Sequence, residues 1–126
     1  MKRIRIRIGT TEIKAELNET RTANAIWRML PIKARINLWG EEIYFAIPLS
    51  LAQEAGQAVV HKGDLGYWPP GNAICIFCGP TPISTGNEIR PASAVTVFGR
   101  IIEDAMRLKE EATEGMEIVI REEDDG

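Results

Sequence analysis

Ile4, Ile6 and Ile8 alternate with Arg5 and Arg7. After Gly9-Thr10 the pattern resumes, with Ile13, Ala15 and Leu17 set between Glu12, Lys14 and Glu16. A period of two with one apolar and one charged face predicts two half-buried strands, and the Gly-Thr break predicts a hairpin between them. The period then changes. Ala23, Ile26, Trp27 and Leu30 fall at i, i+3, i+4 and i+7, one face of a helix that Asn18, Thr20 or Thr22 can cap and that Pro31 ends. Ile36 and Leu38 mark a short strand from about Arg35 to Trp39, broken at Gly40. Ile43, Phe45 and Ile47 alternate with Glu42, Tyr44 and Ala46 in another, which Pro48 stops. Ser50 predicts the cap of a short helix over Leu51 to Ala55, ended by Gly56, and Val59-Val60 predicts a strand reaching His61.

The middle of the chain breaks the alternation. The run Gly63-Asp64-Leu65-Gly66-Tyr67-Trp68-Pro69-Pro70-Gly71-Asn72 reads as a rigid, irregular loop carrying two large aromatic residues. Proline fixes φ there, and glycine admits positive φ. Ala73 to Cys78 is apolar on both faces, which predicts a central strand covered on two sides. Ser84 to Pro91 is a polar loop, Ala94 to Ile102 a long Val- and Ile-rich strand, and Glu103 to Glu111 a short charged helix. Met116, Ile118 and Ile120 alternate with Glu117, Val119 and Arg121 in a last strand, and Glu122 to Gly126 is an acidic tail expected to fray. About eight strands, two or three short helices and no βαβ alternation predict a mainly β fold, a closed antiparallel barrel with helices over its ends. One domain is expected over residues 1–121, with the tail at 122–126.

Charge and composition narrow the function. The net charge of −3 lacks the basic bias that a nucleic-acid partner requires. Arg3, Arg5 and Arg7 form a local ladder, but Glu12, Lys14 and Glu16 lie on the neighbouring strand, so a solvated, ion-paired face is expected. No apolar run approaches the roughly 20 residues that span a bilayer, so no membrane partner is expected. The first residues alternate instead of forming an apolar leader, which makes the cytoplasm the expected compartment.

Candidate chemistry is sparse. Cys75 and Cys78 form a C-x-x-C, but inside a strand residues three apart point to opposite faces, so two separate core thiols are expected. A structural zinc site needs four ligands and only His61 remains as a soft donor, so neither a metal nor a cofactor is implied. His61, beside Lys62-Gly63-Asp64, reads as a surface residue. Glu41 and Glu42 are adjacent and face opposite sides; one of them, beside Tyr44, can line a pocket, and Glu41 is the candidate carried forward. Arg90 precedes Pro91-Ala92-Ser93, and its fork of donors suits a carbonyl or carboxylate, with Ser93 as an assisting hydroxyl. Tyr67 and Trp68 are either a ligand platform or a plug in one end of the barrel. The candidate ligand-binding set is therefore Glu41, Tyr44, Tyr67, Trp68, Phe77, Arg90 and Ser93, with Arg90 the one catalytic candidate.

Three segments carry a family resemblance: Trp39-Gly40-Glu41-Glu42-Ile43-Tyr44-Phe45, Gly63 to Ala73 with its Gly-Tyr-Trp-Pro-Pro-Gly string, and Pro91-Ala92-Ser93-Ala94-Val95. Together they resemble a prokaryotic family of small cyclophilin-like proteins of unknown function, over nearly the whole chain to about Arg121. The resemblance implies an eight-stranded barrel closed by helices. Cyclophilins proper are peptidyl-prolyl isomerases that use an arginine and an apolar pocket to ease twisting of the amide. Their Gln-Gly-Gly-Asp and Phe-Phe-Ile strings are not found in this chain, so Arg90 stands on chemistry alone. The resulting expectation is a binding module for a peptide or small metabolite at one end of the barrel. The alternatives are a divergent isomerase with Arg90 polarising the amide or, by analogy of fold, a subunit of an amide-hydrolysing complex with a protein partner.

Overall fold

The alternating N-terminal segments pair as expected. In the computed structural model, which describes residues 2–123, β1 (Arg3–Ile8) and β2 (Thr11–Leu17) form an antiparallel hairpin with Ile6 opposite Ile13 and Arg7 opposite Glu12. One face of the hairpin is therefore all aliphatic and buried. The other carries Arg3–Glu16 at 3.5 Å, Arg5–Glu12 at 3.2 Å and Lys14–Glu123 at 3.4 Å. Such exposed pairs contribute about 1 kcal/mol or less each; they keep this face wet and its strands in register.

Helix α1 (Arg21–Arg28) follows, with the Thr20 hydroxyl accepting from Ala23 N–H at 3.0 Å. Glu54 supplies a second cap: its carboxylate accepts from the N–H groups of Arg21 and Thr22 and from the Thr22 hydroxyl. These donors hold its pKa below the ordinary carboxylate value. This explains why the helix expected over Leu51 to Ala55 does not form. That stretch is irregular. Glu54 N–H is bound to Thr96 Oγ1 at 2.8 Å, and both ends of the residue are committed to other elements.

Next come β3 (Ile32–Arg35), β4 (Asn37–Trp39) and β5 (Glu42–Ala46). Gly40, at φ +61, makes the β4–β5 turn, a conformation that L side chains resist. The sheet continues through β6 (Asp64–Trp68), a single 3₁₀ turn at Pro69–Gly71, β7 (Ala73–Phe77), β8 (Thr96–Ile101), helix α2 (Ala105–Glu111) and β9 (Glu117–Glu122). The strand order is β3-β9-β1-β2-β8-β6-β7-β5-β4, and every recorded pairing is antiparallel.

The two edge strands, β3 and β4, are consecutive in sequence. Only Ile36 separates them, and its backbone pairs with Met116 and Gly115 while its side chain enters the core. β3 and β4 are thus one bent strand serving both edges. This rolls the sheet into a barrel of eight strands in nine segments. The interior holds Ile4, Ile6, Ile13, Ile43, Phe45 and Ile76, with Ile26 of α1 and Leu108 of α2 joining the same cluster. None of the described helices is long and apolar enough to cross a membrane.

Two expected boundaries move. The last strand runs one residue past Arg121 to include Glu122, and Glu123 N–H bonds to Arg3 O, so only part of the expected tail lies beyond the barrel. The rest of it, 124–126, falls outside the described residues. The first half of the expected irregular loop at Gly63–Asn72 is strand: β6 pairs with both β7 and β8, shifting register between Leu65 and Gly66. The glycine there has a packing cause, since a Cβ on Gly66 would sit 3.0 Å from both Phe77 and Val95.

Candidate functional site

Alternation along β4 to β7 sends half of each strand outward, and on this side of the barrel the outward residues of β4, β5 and β7 are apolar or aromatic apart from Asn37 and Glu42. The registers align Trp39, Glu42 and Phe77 in one row and Tyr44, Cys75 and Gly66 in the next. Phe77, Cys75, Val60, Ile89 and Val95 form a second buried cluster, separate from the barrel interior, with Tyr44 and Trp68 packed on it. The lid over this cluster comes from two long loops tied together by backbone bonds: Gln57 with Val95, at 2.8 and 3.1 Å, and Val60 with Ile89, at 3.0 Å. Those bonds stand where a Val59-Val60 strand was expected; only an isolated bridge forms.

The lid does not cover everything. A cleft of about 170 Å³ remains on the outer face of the sheet, with walls of Trp39, Tyr44 and Trp68, a far side of Pro91, Ala92 and Val95, and Glu42 and Cys75 at its base. Trp68 is fixed by its indole N–H, which donates to Ser93 Oγ at 2.6 Å. The loop behind it is held by Ser84 Oγ, which accepts from the N–H groups of both Thr81 and Arg90.

Glu42 sets the electrostatics. It is 5% exposed in an almost wholly apolar recess. Desolvation pushes its pKa up to about 7, partly offset by a hydrogen bond from the Cys75 thiol. The same burial, together with the neighbouring carboxylate, drives the Cys75 thiol well above its ordinary value, so it serves as a proton donor and not as a nucleophile. Among the described residues, no lysine, arginine or histidine lines the cleft. Glu42 is therefore a carboxyl whose burial favours its neutral form, with one weak donor and no cationic side chain in the cleft lining.

Comparison with known proteins fits this architecture. The family model described as cyclophilin-like matches residues 2–121. The chain belongs to the cyclophilin-like family. The solution structure of the hypothetical protein AF2241 from Archaeoglobus fulgidus is similar with a TM-score of 0.80 and 43% identity, over 97% of this chain and 95% of that one. The structure of McbB in complex with tryptophan shares the fold alone, with a TM-score of 0.72 at 17% identity, over 98% of this chain and 45% of that one. None of the curated proteins matches the chain.

Within this cyclophilin-like barrel the candidate residues separate. Tyr44 and Trp68 line the cleft, and Ser93 anchors Trp68. Tyr67 does not take part. It is 0% exposed and points into the barrel, where its hydroxyl donates to Leu49 O at 2.6 Å and accepts from Leu51 N–H at 3.1 Å. Phe77 is wholly buried in the outer cluster, outside the cleft lining. Glu41 lines a separate shallow depression with Lys62 and Pro80, on the opposite side from Glu42, as alternation requires. Arg90 is not among the cleft residues; its Nε and Nη2 donate to the two carboxylate oxygens of Glu88, at 2.7 and 3.2 Å. That pairing keeps the Glu88 pKa low and the Arg90 pKa high.

Trp39, Glu42, Cys75, Pro91, Ala92 and Val95 were not in the expected set. Two of them carried a signal. Glu42 lies two residues before Tyr44, hence on its face of the strand, and Cys75 belongs to a strand expected to be covered on both sides. The site also lies on the outer wall of the barrel and not at its end, because the loops covering β5 to β7 leave the gap there. Cys75 and Cys78 fall in the outer and inner clusters respectively, and His61 is exposed, each as expected.

Proposed function

We propose that this cyclophilin-like protein is a binding module whose outer-wall cleft takes a small organic ligand of about one ring. The observation that carries this reading is an open recess with two indoles and a phenol as walls and one buried carboxyl at its base. Aromatic side chains give large contact area at little entropic cost, and a single polar group fixes orientation. The volume of about 170 Å³ is close to the roughly 150 Å³ of an apolar cavity that accepts benzene. A peptide would reach the same place through one ring-sized side chain. Nothing in the geometry favours the isomerase alternative, which needs a donor to the twisted amide: Arg90 is occupied by Glu88 and lies off the cleft.

Tryptophan emission tests the proposal. Trp39 and Trp68 line the cleft, while Trp27 lies on α1 beneath Lys2, at 5.8 Å from its ring. Titration with small ring compounds should change the emission saturably, and Trp68→Ala should weaken binding at least tenfold. A response that survives unchanged in Trp68→Ala would place the ligand elsewhere and refute the reading.

A further inference from the structure

We infer that the cleft selects a small ring compound carrying a protonated amine, seated with its ammonium on Glu42 and its ring between Trp39, Tyr44 and Trp68. This rests on the binding reading above and assigns the ligand its chemical class. A buried carboxylate is costly unless a partner compensates it. The groups that face Glu42 supply none. β4 presents the Trp39 indole; β5 itself presents the Tyr44 phenol; β7 presents the Cys75 thiol and the Phe77 ring; β6 presents the Trp68 indole; and the 91–95 segment presents Pro91, Ala92 and Val95. The charged residues that adjoin the lining in sequence are otherwise placed: Arg90, before Pro91, pairs with Glu88, and Glu41, before Glu42, lines a separate depression.

An ammonium supplies what is missing. It donates to the carboxylate, and the faces of aromatic rings attract cations by their quadrupole. An anion meets no cationic side chain in the lining. A neutral ring compound fills the walls but leaves the carboxylate uncompensated. Burial pushes the carboxyl up to about 7, so an ammonium, which needs the ionised form, binds more tightly as the pH rises through that value.

The test uses benzylamine, benzyl alcohol and benzoate as probes, followed by tryptophan emission and by calorimetry at pH 6 and pH 8. Benzylamine stays protonated over that interval, so any pH effect belongs to the protein. Its affinity should be on the order of tenfold higher at pH 8 than at pH 6, following the ionised fraction of a group with a pKa of about 7. Benzyl alcohol should bind more weakly and without that dependence, and benzoate not at all. Glu42→Gln should abolish the benzylamine preference and its pH dependence; the comparison in the natural chain needs no variant. If benzyl alcohol or benzoate binds as tightly as benzylamine at pH 8, the amine assignment falls and the cleft reading stands. If none of the three binds, both fall.

Discussion

The two faces of β5, β6 and β7 are built from alternate residues of the same strands, yet they end in different states. Inward, Ile43, Phe45, Leu65 and Ile76 interlock, and the single polar group, the Tyr67 hydroxyl, is satisfied by the backbone of Leu49 and Leu51. Outward, Glu42, Tyr44, Cys75 and Trp68 meet two loops instead of a sheet, and those loops leave a recess with an uncompensated carboxyl. Tyr67 and Trp68 show the contrast in adjacent residues, one fully enclosed, the other walling the cleft. A barrel wall packs tightly on the side where strands face strands. It keeps room for a ligand on the side where the cover is irregular backbone with its own hydrogen bonds to satisfy.

The comparison makes its largest prediction for the interior. Phe45→Ala should cost about 3–5 kcal/mol in chemical denaturation, the usual range for emptying a packed aromatic site, and should leave ligand affinity unchanged in whatever fraction stays folded. Trp68→Ala should do the opposite, costing only about 1–2 kcal/mol for a half-buried indole and one hydrogen bond while weakening binding at least tenfold. Equal destabilisation by the two would erase the distinction between the faces.

Glu42 gives an effect of intermediate size with a definite sign. Its folded-state pKa, about 7, lies above its ordinary value of 4.5. The group therefore favours the folded state most below pH 4.5 and loses that contribution as the pH rises through 7, by at most about 3 kcal/mol. Subtracting the stability curve of Glu42→Gln from that of the natural chain isolates this term. Glu54 and Glu88, whose pKa values are lowered, act in the reverse direction and cancel in the difference.

The barrel was legible because period-two alternation survives in β1, β2, β5 and β9, and the Gly-Tyr-Trp-Pro-Pro-Gly string pointed to the same family. The β6 strand was hidden by its glycines: Gly66 signals a loop locally but is required by the approach of Phe77 and Val95, which is a long-range cause. The Leu51 to Ala55 helix failed for a similar reason, since Glu54 and its neighbours are committed to α1 and β8. The site was half legible. Tyr44 and Trp68 could be named from their types. Alternation sets Glu42, and not Glu41, on the face of Tyr44, and Arg90 pairs with Glu88 outside the cleft.

The most direct test is a carbon-13 NMR titration of the Glu42 side-chain carboxyl in the ligand-free protein, assigned by comparison with Glu42→Gln. A midpoint near 7, falling toward 4.5 when benzylamine is added, is the result this account predicts. A midpoint near 4.5 in the free protein would contradict it, because Glu42 would then be hydrated or already paired, and the outer face would hold no buried carboxyl for a ligand to meet.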